Sequence, residues 1–355
     1  MKLVWDALSI EAGRPSGVRR RLLALAPRLA RTVPVCVISA DVWSPAELQL
    51  LRGCEVRTVQ QVKHSLWNRL VRGEKLLRQH GAFEPGTVLL QDAQPWSSHP
   101  RLIGTVHDLR HWRGGLGGLA ARTLLRRSFR RAAALACVSG TVAEGLRRAV
   151  PELQQRSVVV PNGVEPCACK ASPAAKDTPL LLWVGHLEAR KDVSVAIAVA
   201  EALARSGRAL RFMCVGRGAQ PIEAALQAAS QPCVHRAEVR RQASDDEMLT
   251  LWHEAAVVLC PSRLEGFGLV PLEAMAHAAC VVASDIAAHR EVLGEAALFA
   301  PVGDVAAFAR AVERVLDDAQ VRERLTHAGP KRAALWTWDA AAEALLAAAH
   351  RHTNK

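Results

Sequence analysis

Tyrosine is absent from this sequence of 355 residues, and phenylalanine occurs only six times. Proteins that bind single-stranded nucleic acid stack the bases on aromatic side chains that are interleaved with basic ones. No such interleaving occurs along this chain. We therefore expect no nucleic-acid partner, although the formal net charge is +12 and a basic nucleic-acid-binding protein remains the non-enzymatic alternative.

Long apolar runs are also missing. No segment approaches the ~20 consecutive apolar residues that a transmembrane helix needs. The N-terminus lacks the apolar core and the small-residue cleavage site of a secretory signal. We expect a cytoplasmic protein whose contact with a membrane, if it has one, is peripheral and on the inner face.

The nine cysteines are too scattered to form a disulfide framework. Only Cys167 and Cys169 lie close together, with a single residue between them, and no pair of Cys-x-x-Cys motifs occurs. This pattern is typical of reduced, buried thiols in a cytosolic protein, rather than of disulfides or a zinc site.

The excess positive charge is confined to the first half of the chain. Residues 1–165 contain 25 Lys and Arg against 12 Asp and Glu, a net of +13, whereas residues 166–355 contain 21 against 22, a net of −1. Such a basic face attracts anionic membranes, nucleic acid or anionic substrates. Solubility is an equally good explanation. The clustered arginines include Arg126, Arg127, Arg130 and Arg131.

Apolar segments of strand length alternate with amphipathic segments of helix length through nearly the whole chain. Alternation of this kind predicts an α/β protein with two doubly wound, Rossmann-like parallel sheets. We expect an N-terminal domain over 1–165, a C-terminal domain over 166–337, and a last helix, about 338–355, that packs back on the first domain. Strands are predicted at 3–8, 33–38, 87–90, 103–106, 135–138 and 158–160, then at 180–184, 211–215, 233–235, 257–259, 280–283 and 297–299.

Residues 260–276 combine a strand end, a glycine-bearing loop and a helix that is expected to begin at Pro271. Glycines let the backbone approach a ligand, and the helix N-terminus directs free N–H groups towards it. Glu265 in the loop and Glu273 in the helix are separated by seven residues, which suits a ligand whose sugar hydroxyls need acceptors at two places. The alternative is a helix cap with a solvated loop carboxylate.

A second strand, loop and helix unit covers residues 182–192. Arg190 and Lys191 are expected to open the helix, where its macrodipole disfavours positive charge. A diphosphate facing them explains that local cost, since Lys acts as a point charge and Arg as a bidentate fork. The alternative is an exposed basic pair. His186 is either a polar tip at the ligand or a hydrogen-bonded structural residue.

These two segments resemble the retaining GT-B glycosyltransferases of family four, which include bacterial lipopolysaccharide and exopolysaccharide mannosyltransferases. The resemblance covers nearly the whole chain and is strongest over 181–303. That region contains the Glu-x7-Glu block, Val184-Gly185 with Arg190-Lys191, and Ser284-Asp285 followed by Glu291. The looser matches of the first half are Gly17-Val18-Arg19, the His107-Asp108 pair, Val138-Ser139 and residues 161–164.

The resemblance implies a role for each matching residue. Lys191, helped by Arg190, would neutralise the donor diphosphate, and Glu273 would bind the ribose hydroxyls. Glu265 would bind the donor sugar on its reacting face. His107 would lie near that sugar. The other donor-binding positions implied are Gly17, Gly185, His186, Gly266, Phe267, Gly268 and Leu269. Many relatives have Arg where this chain has His186, so Arg190 is expected to make the second phosphate contact.

The implied reaction needs no metal and no cofactor. Same-face attack on the sugar, with the departing phosphate accepting the acceptor's proton, retains the configuration. Catalysis would then depend on positioning and on charge stabilisation of the leaving diphosphate. No Asp-x-Asp motif occurs, so the cations would replace a divalent ion.

The identity of the donor remains open between GDP-mannose, which the Val-Gly-x-Leu-Glu-x-Arg-Lys form favours, and a UDP-sugar. The expected acceptor is a saccharide or a lipid-linked saccharide of a surface polysaccharide or glycolipid pathway. Backbone around 234–239 is expected to read the base. A GT-B sugar-nucleotide epimerase and a catalytically silent scaffold are the remaining alternatives.

Overall fold

A computed structural model describes residues 1–11, 16–59, 72–92, 96–110, 116–167, 178–217 and 236–353. Its contacts divide the chain into two compact units. Unit 1 comprises Met1–Gly163 together with Trp338–Lys355, and unit 2 comprises Val164–Thr337. The predicted fold class, two α/β domains each built on a parallel sheet, is confirmed.

Unit 1 contains a seven-stranded sheet in the order β3-β2-β1-β4-β5-β6-β7, in which every neighbouring pair is parallel. The strands are β1 Lys2–Ala7, β2 Val35–Ser39, β3 Glu55–Thr58, β4 Thr87–Gln91, β5 Leu102–Val106, β6 Ala134–Cys137 and β7 Ser157–Val159. The helices are α1 Gly17–Leu29, α2 Pro45–Leu50, α3 Glu74–Gln79, α4 Leu116–Phe129 and α5 Gly140–Ala149. The central strands are buried because helices cover both faces of a parallel sheet.

Unit 2 contains a six-stranded parallel sheet in the order β10-β9-β8-β11-β12-β13. The strands are β8 Leu180–Val184, β9 Arg211–Val215, β10 Arg236–Arg240, β11 Ala255–Cys260, β12 Val281–Ser284 and β13 Leu298–Ala300. The helices are α6 Val193–Arg205, α7 Asp245–Glu254, α8 Leu269–Ala276, α9 Ala287–Leu293, α10 Val305–Asp317 and α11 Ala319–Ala333. One apolar core joins β8, β9, β11 and β12 to α6 and α10.

The last helix, α12 Trp338–Thr353, belongs to unit 1. It packs against α1 and β6. Its first turn carries Asp339, which pairs with Arg28 and Arg31 of α1 at 3.2 Å each. Ser16 precedes helix α1, and its hydroxyl accepts a hydrogen bond from the Arg19 amide and so caps the helix.

Two edge strands were not predicted from the sequence. Strand β3 reads Glu-Val-Arg-Thr and β10 reads Arg-Ala-Glu-Val-Arg, and such charged segments lack the apolar run that marks a central strand. The predicted strand at 233–235 lies outside the described residues. None of the helices in the described part of the chain is both long and apolar enough to cross a bilayer.

Candidate functional site

Two loops meet at the carboxyl edge of the sheet of unit 2. Strands β8 and β11 are parallel neighbours, so the loops that follow them leave the sheet on the same side. The Arg263 amide donates to the Arg190 carbonyl at 2.7 Å. The Arg263 side chain pairs with Asp192 across 2.6 Å. The loop after β8 and the loop after β11 are therefore held together by backbone and side-chain bonds.

Asp192 turns the chain sharply between the two cations and α6. It lies in the left-handed region at φ 48° and ψ 49°, which a residue other than glycine adopts only at a cost. Its buried carboxylate also accepts from the Ser194 hydroxyl at 2.7 Å. Arg190 and Lys191 lie in a separate 3-10 turn before Asp192. The prediction that they open the helix is therefore wrong, because α6 begins only at Val193.

Both cations converge on the carboxylate of Glu265. Lys191 Nζ donates to Oε1 at 2.5 Å, and Arg190 Nη1 donates to Oε2 at 3.2 Å. The Ser262 hydroxyl also donates to Oε1 at 2.9 Å. The Glu265 side chain is only 9% exposed, against 15% for Lys191 and 21% for Arg190. The carboxylate is thus at the inner side of the cluster, and the two cations are nearer to solvent.

The charge of this cluster follows from its neighbours. Burial alone would raise the pKa of Glu265, but the charges of Lys191 and Arg190, together with that of His289 when it is protonated, outweigh it, so that the pKa lies below its ordinary value. Burial also lowers the pKa of His289, more strongly than Glu265 and the Ser284 carbonyl raise it. Because His289 is then neutral at pH 7, Lys191 and Arg190 supply most of the field that keeps Glu265 ionised.

His289 is a component of this site that the sequence did not reveal. It is fully buried in α9, and its Nδ1 lies 2.9 Å from the Ser284 carbonyl oxygen. Its Nε2 has no hydrogen-bond partner among the residues that the structure describes. The ring also borders Gly268, where an added Cβ would lie 3.2 Å from it. The sequence offers only one signal, a histidine that follows two alanines in a short helix, and it is a weak one because Arg290 and Glu291 lie in the same helix.

Two glycines flank Phe267 in the turn over residues 266–268. Phe267 is buried and packs edge-on against Trp336, with ring centroids 5.3 Å apart. Gly268 caps α8 at φ 101°, a conformation that favours glycine. Helix α8 begins at Leu269, two residues before the predicted start at Pro271. Glu273 consequently lies in the second turn.

Glu273 is also buried, with 8% of its surface exposed. Glu265 and Glu273 belong to the same strand, turn and helix unit. Because both are largely buried, neither is the solvated carboxylate that the sequence left as an alternative. A carboxylate withdrawn from water in this way is normally held by donors or serves a ligand.

Glycines allow β8 and β9 to come close at the same edge. An added Cβ on Gly216 would lie 1.7 Å from the Gly185 carbonyl oxygen, and Gly216 has φ 153°. The Gly185 amide donates to Val215. His186 follows and is exposed, so the structure favours a polar tip over a buried structural residue.

In unit 1, His107 directly follows β5 and stands beside Asp92, which directly follows β4. His107 Nε2 lies 3.9 Å from Asp92 Oδ1. Asp92 also accepts from Trp5 Nε1 at 2.8 Å and lies 3.5 Å from Arg21 Nε. Burial lowers the pKa of His107, more strongly than Asp92 raises it, so its imidazole is neutral at pH 7.

The structure also shows where Gly17 and the predicted arginine cluster lie in unit 1. Gly17 is the exposed first residue of α1, directly after the Ser16 cap, and residues 12–15 before it lie outside the described part of the chain. Of the arginine cluster, Arg126 and Arg130 both pair with Glu152, at 2.7 and 2.6 Å. The cluster is thus partly neutralised.

Comparison with known proteins identifies each unit with a family model. Residues 15–166 match the model described as Glycosyltransferase Family 4, and residues 178–318 match the model described as Glycosyl transferases group 1. Together the two matches account for most of the chain.

The curated proteins that are similar to this chain are named as transferases of different sugars. Over 198 residues, the chain is 31% identical to a phosphatidyl-myo-inositol mannosyltransferase of Mycobacterium leprae, covering 54% of this chain and 52% of the relative. Over 172 residues, it is 30% identical to an alpha-D-kanosaminyltransferase of Streptomyces kanamyceticus, covering 48% and 45%. The chain thus spans about half the length of the curated relatives that it matches.

Among solved structures, Anabaena HepE in complex with UDP-glucose superposes with a TM-score of 0.78. The alignment covers 98% of each chain at 17% sequence identity. At that identity the likeness concerns the fold.

Proposed function

The chain belongs to the family 4 glycosyltransferases, with the GT-B fold, and we propose that it transfers a hexose from a nucleotide-diphosphate sugar to an acceptor with retention of configuration. The observation that carries the proposal is the convergence of Lys191 and Arg190 on Glu265 at the carboxyl ends of β8 and β11. The edge of a doubly wound sheet is where such folds bind nucleotides.

The cations retain donors for a diphosphate. An ammonium group has three N–H donors and a guanidinium has five. Lys191 uses one on Glu265, while Arg190 uses Nε on Glu188 at 2.7 Å and Nη1 on Glu265. The remaining hydrogens and the partial exposure of both side chains suit phosphate oxygens, which bind cations by charge-assisted hydrogen bonds.

Glu265 has two roles in this proposal. It orients Lys191 and Arg190 before the donor binds, so that little reorganisation is needed when negative charge develops on the leaving diphosphate. It also offers a carboxylate to a hydroxyl of the donor sugar. Glu273 binds the ribose, the amides around Phe267 and Gly268 face the donor, and His107, neutral at pH 7, contacts the sugar. The orienting role of Glu265 comes from its contacts with Lys191 and Arg190, and the other roles are the ones that the family resemblance implies.

We propose further that catalysis needs no divalent ion, because two permanent cations already face the leaving group. The direct measurement is turnover with and without added Mg²⁺ or Mn²⁺, together with the anomeric configuration of the product by NMR. The proposal requires equal rates and a retained configuration. An inverted product, or a rate that appears only with added Mg²⁺ or Mn²⁺, contradicts it.

GDP-mannose is the first donor to test, since the curated relatives include mannosyltransferases. A UDP-sugar is the second, because the similar Anabaena structure contains UDP-glucose. Thermal shifts with GDP, UDP, ADP and their sugars rank the donors, since a ligand that binds the folded state raises the melting temperature. The preferred sugar nucleotide should then be stable without an acceptor. Conversion of it to an epimer would favour the epimerase alternative.

The acceptor that we propose is a saccharide or lipid-linked saccharide, met at an anionic membrane surface by the basic unit 1. Helix α4 supports this idea, because Leu124 is 54% exposed beside the exposed Arg126 and Arg127. Sedimentation with anionic vesicles at low and high salt tests it.

Binding should be lost at high salt and weakened in the variant Arg126→Gln/Arg127→Gln. The matched control is Arg147→Gln/Arg148→Gln, a second exposed arginine pair, held by Glu144 on α5. Arg131 is left unchanged, since it donates to the Trp96 carbonyl. Equal sedimentation with neutral and anionic lipid would leave the charge as a solubility feature.

A further inference from the structure

Three potential metal ligands meet in unit 2, outside the cluster around Glu265. They are the Cys167 thiol and the imidazoles of His253 and His277, and their ligand atoms all lie within 4.8 Å of one another. Each side chain is half-buried, so that an ion could enter from solvent. No other group of three such ligands occurs in the part of the chain that the structure describes.

The three residues come from separate elements. Cys167 follows Val164, whose amide donates to the Trp336 carbonyl at 2.9 Å near the start of unit 2. His253 lies in the last turn of α7, and His277 is the C-cap of α8. Cys167 and His277 are far apart in the sequence, so no Cys and His spacing motif marks the site.

Local electrostatics favour a cation at this position. The carboxyl ends of two helices, α7 and α8, both lie there, and the C-terminus of a helix carries partial negative charge. The two imidazole rings are 5.4 Å apart between centroids, at an interplanar angle of 70°. His253 Nε2 is buried and has no hydrogen-bond partner among the described residues. A buried imidazole nitrogen in that state is available as a ligand atom.

We propose that Cys167, His253 and His277 bind one Zn²⁺ ion that stabilises unit 2. One thiolate and two imidazole nitrogens are the soft and intermediate donors that zinc prefers. Zinc bonds of about 2.0–2.3 Å place tetrahedral ligand atoms about 3.5 Å apart. The ligand atoms therefore have to approach one another by at most about 1.3 Å, which imidazole and thiol rotations provide. A water molecule completes the four ligands, and the thiol releases its proton to solvent.

The ion would connect the beginning of unit 2 to α7 and α8. Helix α8 carries Glu273 and follows the glycine turn of the donor site. Zinc would therefore stabilise the helix on which the proposed ribose contact lies, without touching the reacting groups. This site was not expected from the sequence, where Cys167 was interpreted as a reduced structural thiol.

The test uses the full chain without a histidine tag, purified, stripped with a chelator and titrated with Zn²⁺ and Co²⁺. We expect one equivalent of zinc by elemental analysis, a rise of several degrees in melting temperature on zinc addition, and a thiolate-to-Co²⁺ charge-transfer band. Cys167→Ser should lose the charge-transfer band, and Cys167→Ser and His253→Ala should each lose the bound zinc and the thermal shift.

Matched controls are Cys54→Ser in unit 1 and His327→Ala on the surface of α11, which should behave as wild type. The stripped wild-type protein itself keeps the test valid if a variant fails to fold, since zinc must return to it at one equivalent. The proposal is overturned if wild type binds neither metal at micromolar concentration. It is equally overturned if Cys167→Ser retains the zinc or the cobalt band.

Discussion

The two units place a buried carboxylate beside cations at the same edge of their sheets, but they use it differently. In unit 1, Asp92 is paired with Arg21, whose side chain is fully buried. In unit 2, Glu265 is paired with Lys191 and Arg190, whose side chains remain 15% and 21% exposed. A cation without access to solvent can only hold the fold together. A cation with spare donors at the surface can also bind a ligand.

The buried pair of unit 1 is completed by neutral partners. Arg21 Nη1 donates to Asn162 Oδ1 at 2.7 Å, and Trp5 Nε1 donates to Asp92. Burial lowers the pKa of Arg21 more than Asp92 raises it, so the site is unfavourable for an isolated charge. Removing one partner is therefore expected to be far more costly than removing both.

The largest effect should come from Arg21→Met. It leaves the Asp92 carboxylate buried without its cation, and we expect a loss of about 3–5 kcal/mol in the free energy of unfolding by urea. The double variant Arg21→Met/Asp92→Asn should recover a large part of that loss. Arg20→Met, at the exposed neighbouring position, should stay within about 0.5 kcal/mol of wild type. A stable Arg21→Met protein would show that the two units do not differ in how much their cations contribute to stability.

Lys191→Ala should reduce activity strongly and stability only weakly, in contrast to Arg21→Met. Loss of one donor to the leaving diphosphate should lower kcat/KM by about 10²–10³-fold, or about 3–4 kcal/mol. Stability should fall less than in Arg21→Met, because Glu265 keeps Arg190 and Ser262 as partners. Lys331→Ala, on the surface of the same unit, is the control for both measurements. Wild-type turnover in folded Lys191→Ala would remove the basis of the proposed function.

A smaller and more specific effect should separate the two glutamates. Glu265→Gln removes the anion that competes with phosphate for Lys191 and Arg190, so we expect free nucleoside diphosphate to bind a few-fold more tightly while turnover falls. Glu273→Gln removes the proposed ribose acceptor, so that binding should weaken instead. Calorimetric titration of both variants decides the point. Parallel changes in the two would contradict the separate roles.

The smallest effect should be a change in pH dependence. The pKa of His289 in the folded protein lies below its ordinary value of 6.5. Its contribution to stability is therefore complete above pH 6.5 and is lost as the pH falls through the folded-state pKa. Between pH 7.5 and 5.5, the free energy of unfolding should decline less steeply in His289→Gln than in wild type, by at most about 1.4 kcal/mol per pH unit. His327→Gln should keep the wild-type slope.

The two segments of the candidate site could be located from the sequence because the residues within each segment are close together in the chain. The Glu-x7-Glu spacing and the Arg190-Lys191 pair are both short patterns next to buried strands. The position of Lys191 was less predictable, since the left-handed Asp192 separates the cations from α6. A strained turn of this kind leaves no signal in propensity or periodicity, because the surrounding structure and Arg263 stabilise it.

The sequence by itself determined the class of fold and the neighbourhood of the site. Alternating apolar and amphipathic segments allow little else than two parallel sheets. A strand end followed by glycine and a helix is typical of a loop that binds an anionic ligand. Only the tertiary structure decided which charges meet. Lys191 and Glu265 are 74 residues apart, and Arg21 and Asn162 are 141 apart. Such pairs depend on which strands become neighbours and on how deeply each side chain is buried, and neither property is local to the sequence.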